Sequence, residues 1–277
     1  MTLEEYRSLI QMTSQNYSFK KINHELDPNA IKENNETICF LRHDIDISPK
    51  NALRIAQLDA EEGAESTFTV LLSGHYYNPF EKRTKDLLKE ISKYGHEIGL
   101  HFDVNSYKIE TEKELNLYIT REAEILGNLL DVGIRMFSFH NPTEFSKSCR
   151  SFKYGNLVNS YSSFFHDDVQ YTSDSCGYWR FRNWEELLSE KHKIIQVLTH
   201  PVWWQPNNLL PPLETVIKCC LERLDSSIDH YNKVFNEDSD RINKSALTDN
   251  LNRKAKIIDS DILNTYAKFP LLLNFLR

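Results

Sequence analysis

The sequence contains 277 residues with a mass of 32.6 kDa, and its 33 basic and 40 acidic side chains give a net charge of −7 at pH 7. Hydrophobic residues make up 40% of the chain, which is enough for a core and excludes a disordered protein. The acidic balance, without a basic cluster, argues against nucleic acid as a partner. No apolar run approaches the roughly 20 residues that cross a bilayer, so we expect no transmembrane segment.

The amino-terminal sequence MTLEEYRSLIQ carries two glutamates where a secretory signal would carry positive charge, and no apolar core follows it. We therefore predict a cytoplasmic protein. The five cysteines form an odd number without a CxxC pair, which favours reduced thiols over a disulfide framework or a cysteine-rich zinc site. The sequence gives no expectation of the oligomeric state.

From residue 36 onward, short β-rich runs alternate with segments of helical periodicity, after a short helical segment over residues 1–35. This alternation is typical of βα units that form a parallel sheet. At the first helix, Ser48 and Pro49 are a favourable N-cap and first helical residue, and Gly63 is placed where a helix would end. The predicted strands are Glu36–Asp44, Ser66–Leu72, Glu97–Asp103, Ile134–His140 and Ile194–His200, and the predicted helices after the first are Lys85–Tyr94 and about Glu112–Leu130.

No Pro- or Gly-rich linker interrupts residues 36–212, so we predict one α/β barrel-like domain over residues 1–212. From Glu214 the composition becomes helical and charged. We therefore predict a helical C-terminal extension over residues 213–277 that packs on the domain or on a partner.

Asp44 and Asp46 end the first predicted strand two residues apart, so both side chains point to the same face of the sheet. His43 points to the other face. Two carboxylates at one site repel each other unless a cation or a proton lies between them. The alternative is that they only cap the helix that begins at Ser48.

His101 and Asp103 repeat this arrangement at the end of another strand. Imidazole and carboxylate groups from separate strands are typical of catalytic zinc or iron sites. His96 precedes His101 by an odd number of residues and therefore points to the opposite face, so we predict a structural role for it.

Two later strands also end in histidine. His140 is followed by Asn141, and His200 is followed by Trp203 and Trp204. Aromatic side chains beside a titratable group are common in sugar-binding sites, although ordinary burial is as good an expectation for one of the two tryptophans. Asp174 either orients an imidazole through its second N–H or caps a turn.

Taken in order, the segments LRHDIDIS, GHEIGLHFD, SFHNP, DSCGYW and VLTHP resemble the motif series of the NodB-type polysaccharide deacetylases, the carbohydrate esterases of family four. The resemblance spans Cys39 to Trp204, and GHEIG followed by a strand-end histidine is its most specific part. It implies an irregular (β/α)7 barrel that holds one divalent metal ion, usually zinc, and hydrolyses an acetyl or related N-acyl group on a sugar. Nickel, cobalt or iron are the other metals expected.

The resemblance also implies roles for individual residues. Asp44 matches the general base and Asp46 the aspartate ligand of the metal. His101 matches the first histidine ligand. His200 matches the general acid, and Asp174 matches the acidic residue that tunes it.

The sequence departs from the family pattern at two places. Asn105 stands where the family has a second histidine, and FHNP replaces an Arg-Pro-Pro element. We therefore predict that His140 completes the metal site, with Asp103 or Asn105 as competing third ligands. Further expected contacts to substrate are made by Trp203, Trp179 and Asn141.

These observations predict a metal-dependent hydrolase that removes an N-acyl group from an amino sugar, which we expect to be a nucleotide- or lipid-linked precursor of a surface polysaccharide such as lipopolysaccharide or capsule. One alternative is a non-catalytic carbohydrate-binding or assembly protein on a degenerate deacetylase barrel, motivated by Asn105. Another is a hydrolase of a non-sugar amide or cyclic imide, because a fold does not fix its chemistry. Stoichiometric metal content separates the first two.

Overall fold

The computed structural model describes residues 1–180, 182–207 and 209–238, with the backbone alone over residues 235–238. Internal contacts divide the chain into two compact units, residues 1–220 and residues 221–277. Among the helices of the described ranges, none is long and apolar enough to cross a membrane.

The strands and helices follow one another in the predicted alternation. The strands are β1 (Ser18–Phe19), β2 (Ile38–Ile45), β3 (Ser66–Leu71), β4 (Glu97–Asp103), β5 (Met136–His140), β6 (Lys153–Tyr154), β7 (Leu157–Asn159), β8 (Gln170–Ser173) and β9 (Ile194–Thr199). The helices are α1 (Leu3–Ser14), α2 (Pro28–Glu33), α3 (Pro49–Glu61), α4 (Lys82–Lys93), α5 (Glu112–Leu130), α6 (Glu144–Ser148), α7 (Trp184–Ser189) and α8 (Pro212–Asp238).

In the described part of the chain, seven parallel strands form one curled sheet in the order β7-β5-β4-β3-β2-β9-β8. Antiparallel β6 extends the β7 edge, and β1 adds a short parallel pairing to β2. The sheet is a half-barrel, since no pairing joins β8 to β7 across the remaining seam. The predicted α/β fold with a C-terminal helix is confirmed.

Both faces of β2 are buried, as expected for a parallel strand covered on two sides. Cys39, Leu41 and Ile45 pack in the cluster between the sheet and the surrounding helices. Ile38 and Phe40 point the other way, into a second cluster inside the curl. The even-numbered residues of β2, including Asp44, therefore lie on the inner face. Asp46, the next even-numbered residue, directly follows the strand.

A polar network lies in the outer layer, between the sheet and the helices. The Asp59 carboxylate accepts hydrogen bonds from Tyr6 Oη at 2.6 Å and Ser66 Oγ at 2.7 Å, and His43 Nε2 lies 2.9 Å from Asp59 Oδ2. His96 Nδ1 lies 2.9 Å from Ser66 Oγ. His96 therefore has the structural environment that its odd spacing predicts.

The structure corrects several predicted boundaries by one to three residues. The first strand begins at Ile38, where its ladder with β9 starts, two residues after its predicted start. Helix α4 begins at Lys82, and β5 begins at Met136. The predicted helical segment over residues 1–35 also contains β1, whose pairing with β2 is a tertiary contact that local periodicity does not reveal.

Helix α8 begins at Pro212, one residue before the predicted C-terminal extension. Exposed apolar side chains of this helix include Leu224, Ile228 and Tyr231. The rest of the predicted extension, residues 239–277, lies outside the described residues.

Candidate metal centre

Three strands of the sheet bring polar side chains to one place at their carboxyl ends. Asp46 directly follows β2, His101 lies near the end of β4, and His140 is the last residue of β5. Because β4 and β5 pair in parallel with His101 opposite Ser138, His140 stands one pleat beyond His101 on the same face.

Possible ligand atoms of these three residues lie within 4.8 Å of one another. Asp46 Oδ1 is 3.1 Å from His101 Nε2 and 3.6 Å from His140 Nδ1, and the two ring nitrogens are 3.1 Å apart. Asp46 Oδ1 is buried and makes no hydrogen bond of good geometry within the described residues. A buried carboxylate oxygen without such a bond, facing two imidazole nitrogens, fits a bound divalent cation.

Hydrogen bonds at the far side of each ring orient the two histidines. His101 Nδ1 lies 2.7 Å from Ser138 Oγ, so Nε2 faces Asp46. The Asn141 amide lies 2.8 Å from His140 Nε2; with its oxygen turned toward the ring it accepts the Nε2–H, which leaves Nδ1 as the unprotonated nitrogen that faces Asp46. Such outer partners fix ring orientation at metal sites. Two imidazoles and one carboxylate suit zinc or iron.

Burial by itself would raise the pKa of the Asp46 carboxyl, but His101 and His140 more than offset that effect and hold the pKa well below its usual range. Asp46 is therefore anionic at neutral pH. This charge state is the one that binds a cation.

Asp103 and Asn105, the competing candidates for the third ligand, lie outside the cluster of Asp46, His101 and His140. Asp103 Oδ1 accepts hydrogen bonds from the backbone N–H of Asn105 at 2.9 Å and from its Nδ2 at 3.0 Å, and so caps the short helical turn Val104–Ser106. Neither residue joins the cluster of possible ligand atoms in the described chain. His140 is the residue that the fold brings to Asp46 and His101.

Asp44 lies beside this cluster on the same face of β2. Its Oδ1 accepts a hydrogen bond from Thr69 Oγ1 at 2.7 Å and lies 3.1 Å from Arg42 Nε. Its Oδ2 accepts from Arg42 Nη2 at 3.3 Å and lies 3.7 Å from His101 Nε2. The helix-capping alternative does not apply to Asp44, because Ser48 caps α3 with its own hydroxyl.

Burial would raise the pKa of the Asp44 carboxyl, but the positive charge of Arg42, aided by His101 and His200, lowers that pKa below its usual range. The side chain is only 4% exposed. A buried anion of this kind persists because it is paired.

His200 lies on the other side of Asp46, with Nε2 3.7 Å from Asp46 Oδ2. Its Nδ1 is 2.7 Å from Asp174 Oδ1, which also accepts the His200 backbone N–H at 2.9 Å. Trp204 Nε1 donates to Asp174 Oδ2 at 3.0 Å. Asp174 therefore holds the imidazole with Nε2 directed at the site.

Burial would lower the pKa of His200, but the hydrogen bond to Asp174, with its charge, raises that pKa to about 9. Burial raises the pKa of the Asp174 carboxyl, while its hydrogen bonds with His200 and Trp204 oppose that shift. The sequence offered a choice between an imidazole-orienting role and a turn cap for Asp174. In the structure, Asp174 contacts the His200 imidazole, which is the orienting role, and makes no side-chain cap hydrogen bond.

The predicted substrate contacts are dispersed. Asn141 is exposed beside His140, in a left-handed conformation with φ of 46°. Trp203 is partly exposed after His200, and its buried Nε1 has no partner within the described residues. Trp204 is the buried member of the tryptophan pair. Trp179 lies against Trp204 and lines a separate groove beside α1 and α7.

Sequence reasoning missed three residues that shape the site, Arg42, Ser138 and Thr69, and it named Trp204 without the contact that Trp204 makes with Asp174. Arg42 and Ser138 each stand two positions before a site residue in an apolar strand, so period-two alternation could have found them. Thr69 and Trp204 act through contacts from other elements, Thr69 on Asp44 and Trp204 on Asp174. The sequence carries no local signal for these two contacts.

No family model and no curated protein sequence matches this chain. Among solved structures, it is similar to a deacetylase from Streptococcus pyogenes in complex with acetate, at 11% identity and a TM-score of 0.39, covering 78% of this chain and 85% of that one. A family 4 acetyl xylan esterase from Clostridium thermocellum in complex with a cobalt ion gives 14% identity, a TM-score of 0.35 and coverages of 68% and 84%.

A CE4 family pseudoenzyme from Bacillus anthracis is also similar, at 12% identity and a TM-score of 0.37. The match covers 70% of this chain and 62% of the pseudoenzyme, so the chain spans less than two thirds of that protein. Enzymes and a pseudoenzyme are thus both found at comparably low similarity. The functional proposal rests on the side chains of the site.

Proposed function

We propose that this protein is a metal-dependent hydrolase that removes an acetyl or related N-acyl group from an amino sugar. The observation that carries the proposal is the placement of an anionic carboxylate and a carboxylate-bound imidazole on two sides of one cluster of possible metal ligands. Asp44 Oδ2 lies 3.7 Å from His101 Nε2, and His200 Nε2 lies 3.7 Å from Asp46 Oδ2. Amide hydrolysis needs a base for water and an acid for the leaving nitrogen.

A divalent ion held by Asp46, His101 and His140 would supply Lewis-acid chemistry, which polarises an amide carbonyl and acidifies water. The site is partly open, since the side chains of Asp46 and His140 are 23% and 19% exposed. Substrate therefore has access to the cluster from the mouth of the half-barrel.

Asp44 is suited to accept the proton of the attacking water. Its lowered pKa keeps it anionic at neutral pH, and Arg42 and Thr69 hold Oδ1 while Oδ2 faces the cluster. Because its partners fix the carboxylate, no reorganisation is needed when the proton moves.

His200 is suited to donate a proton to the leaving amine. With a pKa of about 9, the imidazole is protonated at neutral pH, and Asp174 stabilises the cation through Nδ1. The remaining N–H, at Nε2, points toward Asp46 and the cluster. An amine that departs without this proton would be a poor leaving group.

An amino sugar is our choice of substrate because Trp203, whose indole is partly exposed, follows His200 in the short helical turn Pro201–Trp203. Aromatic rings with one polar atom suit the mixed apolar and polar surface of a sugar. A nucleotide- or lipid-linked precursor of a surface polysaccharide, met in the cytoplasm, is the specific substrate that we propose.

The test is hydrolysis of a panel of N-acetylated amino sugars, free and nucleotide-linked, by the metal-loaded protein. For Asp44→Asn we expect kcat to fall by about 10²- to 10⁴-fold, the usual contribution of a general base, with metal content retained. Chelation should abolish turnover. Asp103→Asn is the matched control, because Asp103 also stands at a strand end but caps a turn.

Turnover that survives both Asp44→Asn and chelation would refute the proposal. Saturable sugar binding without turnover, in a protein that retains no stoichiometric metal and whose binding is unchanged by His101→Ala, would establish a carbohydrate-binding protein instead.

A further inference from the structure

A second cavity, of about 240 Å³, lies at the seam where the half-barrel stays open between β7 and β8. Its walls come from the segment after β7, including Ser160, from Tyr171 on β8, and from Gln196 on β9. This volume holds several water molecules or a small organic anion. The ligand cluster of Asp46, His101 and His140 does not line it.

Arg42, Lys147 and Arg150 line this seam cavity, and none of its described lining residues is acidic. Arg150 is fixed by a hydrogen bond from Nη1 to the Tyr161 carbonyl at 3.0 Å. Lys147 reaches the cavity from α6, where its ammonium also contacts Glu144 at 2.7 Å. The positive charge thus comes from three separate elements of the fold.

Gln196 provides an independent observation. The residue is 2% exposed, and its Nε2 makes no hydrogen bond within the described chain. In the sheet it lies between Phe40 and Tyr171, on the inner face that the cavity borders. A buried amide N–H without an acceptor is costly, and a turn of the Gln196 side chain toward an oxygen atom in the cavity would remove that cost.

Arg42 connects the seam cavity to the proposed site. It lines the cavity, donates from Nη1 to Ser160 Oγ at 2.9 Å, and holds Asp44 through Nε and Nη2. Arg42 and Asp44 are two residues apart on one face of β2, a separation of about 7 Å along a strand. A group bound in the cavity would therefore lie one layer of side chains from Asp44.

We infer that the seam cavity binds an oxyanion, either a phosphate or a carboxylate group, through Arg150, Lys147 and the Gln196 amide. The bound anion would face Arg42, the residue whose Nε and Nη2 hold Asp44, so the cavity is an anion site next to the proposed catalytic carboxylate. Arginine and lysine both bind these groups through charge-assisted hydrogen bonds. A purely hydrated seam is the competing account.

The experiment is calorimetric titration of the full-length protein, kept metal-free with chelator, with inorganic phosphate and separately with acetate at constant ionic strength. We expect saturable binding that Arg150→Gln weakens about tenfold or more, because a charge-assisted contact is lost. Gln196→Met should weaken it by a smaller factor. Arg121→Gln, which changes an exposed arginine on α5, is the matched control and should leave binding unchanged.

Binding of phosphate alone would identify a phosphate site, and binding of acetate would identify a carboxylate site. Absence of saturable binding of either anion, or equal affinity in Arg150→Gln, would overturn the inference. Since Arg150 is partly exposed, its variant should fold, which circular dichroism checks.

His101→Ala separates this inference from the proposed function. Anion binding that survives His101→Ala but not Arg150→Gln belongs to the seam cavity, whether or not the protein hydrolyses amides. Anion binding that is lost in His101→Ala but retained in Arg150→Gln belongs to the imidazoles of the Asp46, His101 and His140 cluster, and would overturn the inference while leaving the hydrolase proposal intact.

Discussion

Asp44 near the end of β2 and Asp46 directly after it lie two residues apart, yet their partners differ. Asp44 is enclosed by Arg42 and Thr69, whereas Asp46 faces two imidazoles and has an oxygen without a hydrogen bond of good geometry. A pair of carboxylates whose surroundings differ can perform two different tasks. The end of β2 thus supplies one carboxylate suited to a metal and one suited to a proton.

The His200–Asp174 pair makes a prediction about pH at the residue scale. The folded-state pKa of His200 is about 9, above the ordinary value of 6.5, so the folded protein binds this proton more tightly than the unfolded chain does. The contribution to stability is fully present below pH 6.5 and is lost as the pH rises to about 9. This contribution to the free energy of unfolding is about 3 kcal/mol, because each pKa unit between 6.5 and about 9 corresponds to 1.36 kcal/mol.

Urea unfolding of the chelated protein between pH 6 and pH 9.5 measures this effect. His200→Gln should flatten the fall in unfolding free energy over that interval, whereas His24→Gln, at an exposed position, should not. An equal fall in the wild type and in His200→Gln would contradict the predicted coupling between His200 and Asp174.

At the scale of elements, the position of β4 against β5 depends on Gly99. A Cβ atom at this residue would lie 2.1 Å from the sulfur of Met136 and 3.0 Å from its Cγ. Because Gly99 has no side chain, the Met136 side chain can pack directly against β4 at this residue, on the inner face of the sheet. Gly99, the second glycine of the GHEIG segment, thus has a packing role two residues before His101.

Gly99→Ala should lower the free energy of unfolding by about 1 to 3 kcal/mol, the usual cost of overpacking a core. A double-mutant cycle with Met136→Ala measures the coupling between the two positions. We expect Gly99→Ala to cost less in the Met136→Ala background, because the clashing side chain is gone. Additive costs would contradict the predicted contact. Gly133→Ala is a control, because the nearest atom to its added Cβ is 3.4 Å away.

At the scale of the whole molecule, a metal ion would join three strands that are held together otherwise by backbone pairing and packing. The three possible ligands of this ion come from β4, β5 and the end of β2, and up to 94 residues of sequence, from Asp46 to His140, separate them. A bound ion should therefore stabilise the whole half-barrel rather than one loop.

Thermal unfolding with and without zinc tests this expectation. A ligand at 100 times its Kd stabilises the folded state by about 2.7 kcal/mol, so Tm should rise by several degrees on zinc addition and fall back on chelation. His140→Ala should abolish the rise, and His24→Ala should retain it. A zinc-dependent rise that persists in His140→Ala would remove His140 from the ligand set.

Local periodicity was sufficient for much of the architecture. The strand over Glu97–Asp103 and the helix over Glu112–Leu130 match their predicted bounds, because the spacing of apolar residues that predicts them acts over a few residues. The common face of Asp44 and Asp46 follows from strand geometry alone. These features depend on neighbours in sequence.

Other features depend on pairing between distant segments. The β4–β5 register brings His140, and not Asn105 or Asp103, to Asp46. The burial of Trp204 rather than Trp203 likewise follows from its contact with Asp174, 30 residues away.

The sequence by itself determined the βα alternation, the strand-end positions of the aspartates and histidines, and the face each would share. Only the tertiary structure decided which three of those side chains meet, that Arg42 holds Asp44, and that Arg42, Lys147 and Arg150 line a cavity at the seam between β7 and β8. The physical reason is that strand periodicity fixes the direction of a side chain, whereas a distance between two strands is set by register and packing across the whole sheet.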